Sequence, residues 1–140
     1  MTKQEIFDKV LARAAIPVKS THRHPAQGSG EAEVCAYRAD DYPTVPPCFV
    51  GIFIPDSLHH HQLENKGVRH IDVRRVLFYA GVLKQSELNS DENNPKLELL
   101  YACQRVHDTR DPVDWPEALR MVAANHDVEF HWPATDEVQS

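Results

Sequence analysis

An α+β fold is predicted: a small antiparallel sheet, with strands near 33–38, 48–54 and 127–132, packed against about four helices. Three observations carry this expectation. Apolar residues recur at helical spacing in separate stretches of the chain. Val34–Arg38 and Asp127–Trp132 alternate in the manner of half-buried strands. Cys48–Ile54 (CFVGIFI) is an almost unbroken apolar run rich in aromatic and β-branched residues, the pattern of a strand buried on both faces.

Taken in order, Thr2 and Glu5 have capping-box spacing, and Ile6, Phe7, Val10, Leu11 and Ala14 then define one apolar face. Pro17 stops this first helix, which is expected over Lys3–Ala15. Residues 17–32 lack periodicity, contain two glycines and read as an exposed loop. Between the first two strands, ADDYPTVPP carries three prolines and forms a surface loop. Asp56 caps a short helical turn over Ser57–Gln62, and Asp72 caps a helix over Val73–Ala80 that ends at Gly81. Ser86–Asn94 is polar and loop-like, whereas Pro95 suits the first turn of a helix running to His107. Asp114 caps a last helix whose apolar residues are Trp115, Leu119, Val122 and Ala123. One globular domain is expected over 1–132, with a tail over 133–140; no internal repeat is present.

At 140 residues the chain is long enough to bury a core without covalent staples. MTKQEIFDKV has acidic residues and no apolar core, so it does not read as a secretion signal, and no apolar run reaches the roughly 20 residues that span a bilayer. A cytoplasmic location with reduced Cys35, Cys48 and Cys103 is therefore expected. Charge is uneven: residues 1–84 carry 11 Lys/Arg against 9 Asp/Glu, and residues 85–140 carry 4 against 12. The acidic second half argues against a nucleic-acid footprint and for a partner protein with a basic surface. Glu87, Asp91, Glu92, Asp108, Asp111, Asp114 and Glu117 are the residues expected to meet it.

Two constellations raise the alternative of a metal-dependent hydrolase. His22 and His24 with Cys35 and Cys48 offer four zinc donors, without the tight Cys-x-x-Cys knuckle of a structural site. His107-Asp108 is an HD pair for which His70 and Asp127 are nominal additional ligands. The competing reading is structural: cysteines behave as small buried apolar side chains, and a His followed by an Asp suits the end of a helix and the turn beyond it. That reading is preferred, so no metal or cofactor is expected. His59–His61 point in different directions on any short turn and do not converge on one ion. Glu31/Glu33 and Asp40/Asp41 read as solvated pairs, and Trp115 and Trp132 as core or edge aromatics. No nucleophile elbow, phosphate-binding loop, dinucleotide fingerprint or HExxH helix is present.

Four motifs together resemble a family of small uncharacterised proteins encoded by phages, prophages and proteobacterial accessory regions. They are the opening MTKQEIFDKV, C-x-Y-R at Cys35–Arg38, C-x-V-G-x-x-I-P-D at Cys48–Asp56, and V-H-D at Val106–Asp108 with Trp115 after it. The resemblance touches most of residues 1–125 and departs from the pattern in the loop at 17–32, the P-T-V-P-P insertion and His59–His61. It transfers no catalytic residues. It implies a non-enzymatic cytoplasmic accessory protein, an inhibitor or modulator of a host defence protein. A structural, virion-associated subunit is the further alternative.

Overall fold

The computed structural model describes residues 1–26, 30–39, 42–64, 66–88 and 94–133, without the side chains of 22–26, 30–35 and 61. The α+β expectation is overturned: the protein is mostly helical, and among the described residues the buried core is built from helices and coiled segments. Its helices are α1 (Lys3–Ala14), α2 (Ile71–Tyr79), α3 (Gln85–Leu88), α4 (Pro95–Thr109) and α5 (Trp115–Asn125). Among the described residues, paired extended backbone is found in one ribbon, in which β1 (Thr21–Ala26) pairs antiparallel with β2 (Gly30–Cys35), Thr21 opposite Cys35. The expected exposed loop at 17–32 is thus partly ribbon, and the expected strand at 33–38 ends at Cys35. The 133–140 tail lies outside the described residues except at Pro133.

α1 starts with the capping box: the Thr2 hydroxyl accepts from the Glu5 N–H, and the Glu5 carboxylate accepts from the Thr2 N–H. Its apolar residues Ile6, Phe7, Val10, Leu11 and Ala14 are buried against α4 and α5. α4 begins at Pro95, and the Asn94 side chain accepts from the N–H groups of Lys96 and Leu97. It buries Leu97, Leu99, Leu100, Cys103, Val106 and His107. α5 contributes Trp115, Leu119, Val122 and Ala123 to the same core. α2 is capped by His70, whose Nδ1 accepts from the Asp72 N–H, so Asp72, the expected cap, is the second residue of the helix. The polar stretch after Lys84 contains the single turn of α3, where a loop was expected.

The segment 48–54 is not a strand. Ile52 N–H donates to Cys48 O, Phe53 N–H to Val50 O and Ile54 N–H to Gly51 O, so the apolar run coils into tight turns and satisfies its own backbone. A short buried apolar run looks the same in sequence whether it is a strand or a coil. What decides between them is the approach of Tyr37: a Cβ at Gly51 would lie 2.2 Å from the Tyr37 carbonyl oxygen. Only glycine allows that contact.

The third expected strand, 127–132, also fails to form. Asp127 turns with φ 57° at the end of α5, and Gln4 replaces a neighbouring strand. Its amide oxygen accepts from Glu129 N–H (2.8 Å) and its amide nitrogen donates to Glu129 O (3.0 Å). Phe130 then stacks on Trp132, with the Arg120 guanidinium over the Phe130 ring.

Gly51→Ala is expected to lower unfolding free energy by about 1–3 kcal/mol through forced displacement of the Tyr37 backbone. Gly67, where a Cβ would meet no atom within 4 Å, is the control; its alanine variant should be neutral or more stable by up to about 1 kcal/mol. Urea midpoints of the two variants test this.

Candidate functional site

A buried cluster of polar chemistry is built around Arg13, on the inner face of α1. The residue is 5% exposed and its guanidinium faces backbone carbonyls. Nε donates to Pro47 O, Nη1 to Ile16 O (2.9 Å), and Nη2 to Val18 O (2.6 Å) and more distantly to Pro46 O (3.4 Å). Its carbon lies 5.9 Å from the ring centroids of both Phe49 and Trp115. Burial pulls Arg13 down to about 10, which leaves it charged at neutral pH.

Phe49 and Trp115 also enclose His107. Trp115 stacks on the imidazole at 5.6 Å, and Phe49 meets it edge-on at 5.1 Å. The ring is fully buried and both nitrogens are occupied. Nε2 accepts from Ser20 N–H (3.0 Å), which fixes the proton on Nδ1, where it is donated to Asp108 Oδ1 (2.9 Å). Burial holds His107 below its ordinary pKa, against the opposing pull of Asp108. The histidine is thus a neutral core bracket, not a cation at the helix terminus and not an accessible base.

Cys48 and Cys103 are buried thiols. Cys48 Sγ accepts from Gly51 N–H at 3.3 Å, and burial pushes its thiol up to about 12. Burial raises Cys103 as well. Neither is poised as a thiolate nucleophile or ligand at neutral pH. The other members of the first zinc set, His22, His24 and Cys35, lie outside the described side chains. Among the described residues no three His, Cys, Asp or Glu side chains are grouped to hold an ion, so His70 and Asp127 do not join the His107-Asp108 pair. His59 is committed to Glu64 (2.8 Å), His60 is exposed, and the side chain of His61 is outside the described residues.

The motifs noted in the sequence clasp one another. The Arg38 guanidinium donates to Ile54 O (3.3 Å) and to Asp56 (2.5 Å), while Tyr42 also donates to Asp56. Tyr37 O accepts from Cys48 N–H. C-x-Y-R and C-x-V-G-x-x-I-P-D are therefore two halves of one structural clasp.

The acidic residues of the predicted partner-binding set differ in how far the fold engages them. Glu87 accepts from Lys96 Nζ (2.9 Å) and from Lys84 N–H, so its charge is spent within the fold. Asp91 and Glu92 lie outside the described residues. Asp108 is held by His107 and by Gln104 (2.7 Å). Asp111, Asp114 and Glu117 remain close in sequence on the turn into α5, and neither aspartate side chain caps the helical turn it precedes. Val113, 82% exposed, and Met121, 61% exposed, accompany them. Composition did not single out these two apolar residues; the signal was the i, i+4 spacing of Glu117 and Met121 on the face opposite Leu119 and Val122.

A cavity of about 230 Å³ opens beside α4, between Tyr101, Gln104, Arg105 and Asp108 on one side and Tyr37, Glu64 and the 66–68 segment on the other. Glu64 on its wall accepts from the N–H groups of Tyr37 (2.9 Å) and Arg38 (3.3 Å). The Tyr37 hydroxyl donates to Lys66 O, and burial raises its pKa, so the phenol stays protonated.

Among the described residues, no helix is long and apolar enough to cross a membrane. Comparison with protein-family models, with curated proteins and with solved structures finds no match.

Two outcomes test this description. The imidazole of His107 should stay neutral below the ordinary histidine pKa of about 6.5 in a pH titration followed by NMR. Because the folded value is depressed, its contribution to stability is complete above about pH 6.5 and is lost as pH falls toward the folded pKa. A ring that titrates at or above the ordinary value contradicts the assignment. Separately, Cys48 and Cys103 should resist iodoacetamide in the folded protein and react on unfolding, as read by site-resolved mass spectrometry.

Proposed function

We propose that the protein is a non-enzymatic binding protein that engages a partner with a basic surface, as an inhibitor or modulator of a host protein would. One observation carries the reading. Asp111 and Asp114 before α5 and Glu117 in its first turn are exposed, as are Val113 between the aspartates and Met121 one turn beyond Glu117, and the two aspartates make no cap within the fold. Exposed apolar side chains rimmed by uncommitted charge suit recognition: the charges steer encounter, and the apolar groups supply buried area. Glu117 approaches Arg120 only at 3.5 Å with both side chains largely exposed, an interaction of little strength.

The residues first considered for hydrolysis support this reading by their commitments. His107 has no free nitrogen, and Cys48 is fully buried. Of the seven acidic residues expected to meet a partner, this reading uses Asp111, Asp114 and Glu117.

Immobilised protein should retain a partner from host lysate at low salt and release it at high salt. Retention should fall at least about tenfold for Asp111→Lys/Asp114→Lys/Glu117→Lys, with the circular dichroism spectrum unchanged. A partner held equally by wild type and variant, or none at any salt, defeats the proposal.

A further inference from the structure

We infer that two copies of this chain exchange the segment 128–132, each segment lying across α1 of the other copy. The inference concerns the end of α5 far from its acidic first turn, and it does not depend on the reading proposed above.

The segment is attached to the fold as a strap. Its backbone is held by a side chain: the Gln4 amide oxygen accepts from Glu129 N–H at 2.8 Å, and the amide nitrogen donates to Glu129 O at 3.0 Å. A contact made to backbone atoms is met equally by the same residue of any copy. Side chains alternate along the strap as they do on a strand. Glu129 and His131 are exposed and paired with each other at 2.8 Å, while Val128, Phe130 and Trp132 pack against the core. All three of those apolar residues are only half-buried. Phe130 stacks on Trp132, and the Arg120 guanidinium lies 4.6 Å from the Phe130 ring centroid. The seat is therefore shallow, and the strap leaves it without opening the buried core of α1, α4 and α5.

The connection sets the balance between closed and exchanged forms. α5 ends at Asn125, and Lys3 Nζ holds His126 O at 2.8 Å, so the chain is fixed up to the turn and the pivot falls at Asp127. Val128 N–H returns to Ala123 O at 3.2 Å, which folds the strap back toward its own helix. That reversal requires Asp127 at φ 57°, the one non-glycine residue with positive φ among the described residues. Aspartate tolerates the left-handed region better than most side chains but, having a Cβ, less well than glycine. Opening the turn returns Asp127 to ordinary extended backbone. The contacts of the strap in its seat are then remade with a second copy, because the exchanged element is identical. What the exchange loses is the Val128–Ala123 hydrogen bond and the tether. A short tether gives an effective concentration in the mM range, so the closed form prevails in dilute solution. Exchange sets in as protein concentration approaches that range, and sooner by the factor that the relieved turn contributes.

The test is light scattering of the intact protein after size-exclusion chromatography, loaded at about 10 µM to about 1 mM to bracket that effective concentration. The wild-type dimer should rise across this range. Asp127→Gly takes the turn freely and should raise the dimer dissociation constant at least about tenfold. Asp127→Pro cannot adopt φ 57° and should lower the constant at least about tenfold; among the described residues the Asp127 N–H donates no hydrogen bond that proline would remove. Mixing carbon-13-labelled with unlabelled chains at the high concentration locates the contact: isotope-filtered NOEs should join Phe130 of one chain to Arg120 of another. Wild type and Asp127→Pro that both stay monomeric over the whole range overturn the inference. So does a dimer whose Phe130–Arg120 contacts stay within one chain, or one equally populated in the glycine and proline variants. If Asp127→Pro fails to fold, wild type and Asp127→Gly decide alone: no wild-type dimer, or equal dimer in the two, overturns it.

Discussion

The buried guanidinium of Arg13 is the constraint on which the rest of the structure depends. Its donors reach the carbonyls of Ile16, Val18, Pro46 and Pro47, and so tie the exit of α1 to the loop that delivers Cys48. Without a carboxylate to neutralise it, the charge is stabilised by several carbonyl dipoles and by the faces of Phe49 and Trp115. Removing it would strand those carbonyls at about 1–3 kcal/mol for each left unsatisfied. A neutral side chain of similar length would fill the space and still lose the geometry. One residue thereby fixes how the loop before Cys48 and the first turn of α5 approach α1.

From that anchor the chemistry of the core follows in sequence. Phe49, seated by Arg13, closes one edge of His107; Trp115 closes the face. Enclosure makes the neutral imidazole the favoured form, and a neutral ring can both accept from Ser20 and donate to Asp108. Asp108 is then oriented, through Gln104 as well, toward the cavity beside α4. Gln104 meanwhile accepts from Val50 N–H, so the same residue that steadies the cavity wall also pins the coiled 48–54 segment. Core packing and cavity geometry are coupled through these few hydrogen bonds.

The parts of this arrangement that were legible in the sequence are those governed by neighbours along the chain. The Thr2–Glu5 capping box, the proline at the start of α4 and the apolar faces of α1 and α5 all appear as read. The strands were misread because Cys48–Ile54 is buried by tertiary contact, and burial alone does not distinguish a strand from a coil. Likewise the alternation in 127–132 reflects Phe130 and Trp132 stacking on one side, with Gln4 supplying the hydrogen bonds a partner strand would have made. The surroundings of His107 were not legible. Its position late in a helix suggested a cation stabilised by the dipole; the aromatic box that keeps it neutral comes from residues 58 and 8 positions away. The cavity was not legible at all, since its two walls lie far apart in the chain.

The distribution of polar groups follows from this division between core and surface. The motif residues Arg38, Cys48, Gly51, Asp56 and His107 are engaged with one another or with the backbone, and hold the long irregular segment between α1 and α2 in place. A helical protein with so much non-helical core must satisfy many backbone groups without a ladder, and side chains that would look catalytic in isolation do that work here. Their reactivity is suppressed by the same contacts: a histidine with both nitrogens bonded does not exchange protons readily, and a thiol pushed up to about 12 does not ionise at neutral pH. Among the described residues, Asp111 and Asp114 at the turn into α5 are by contrast exposed and make no cap, so the scaffold does not draw on their charge as it draws on that of Arg38 and Asp56.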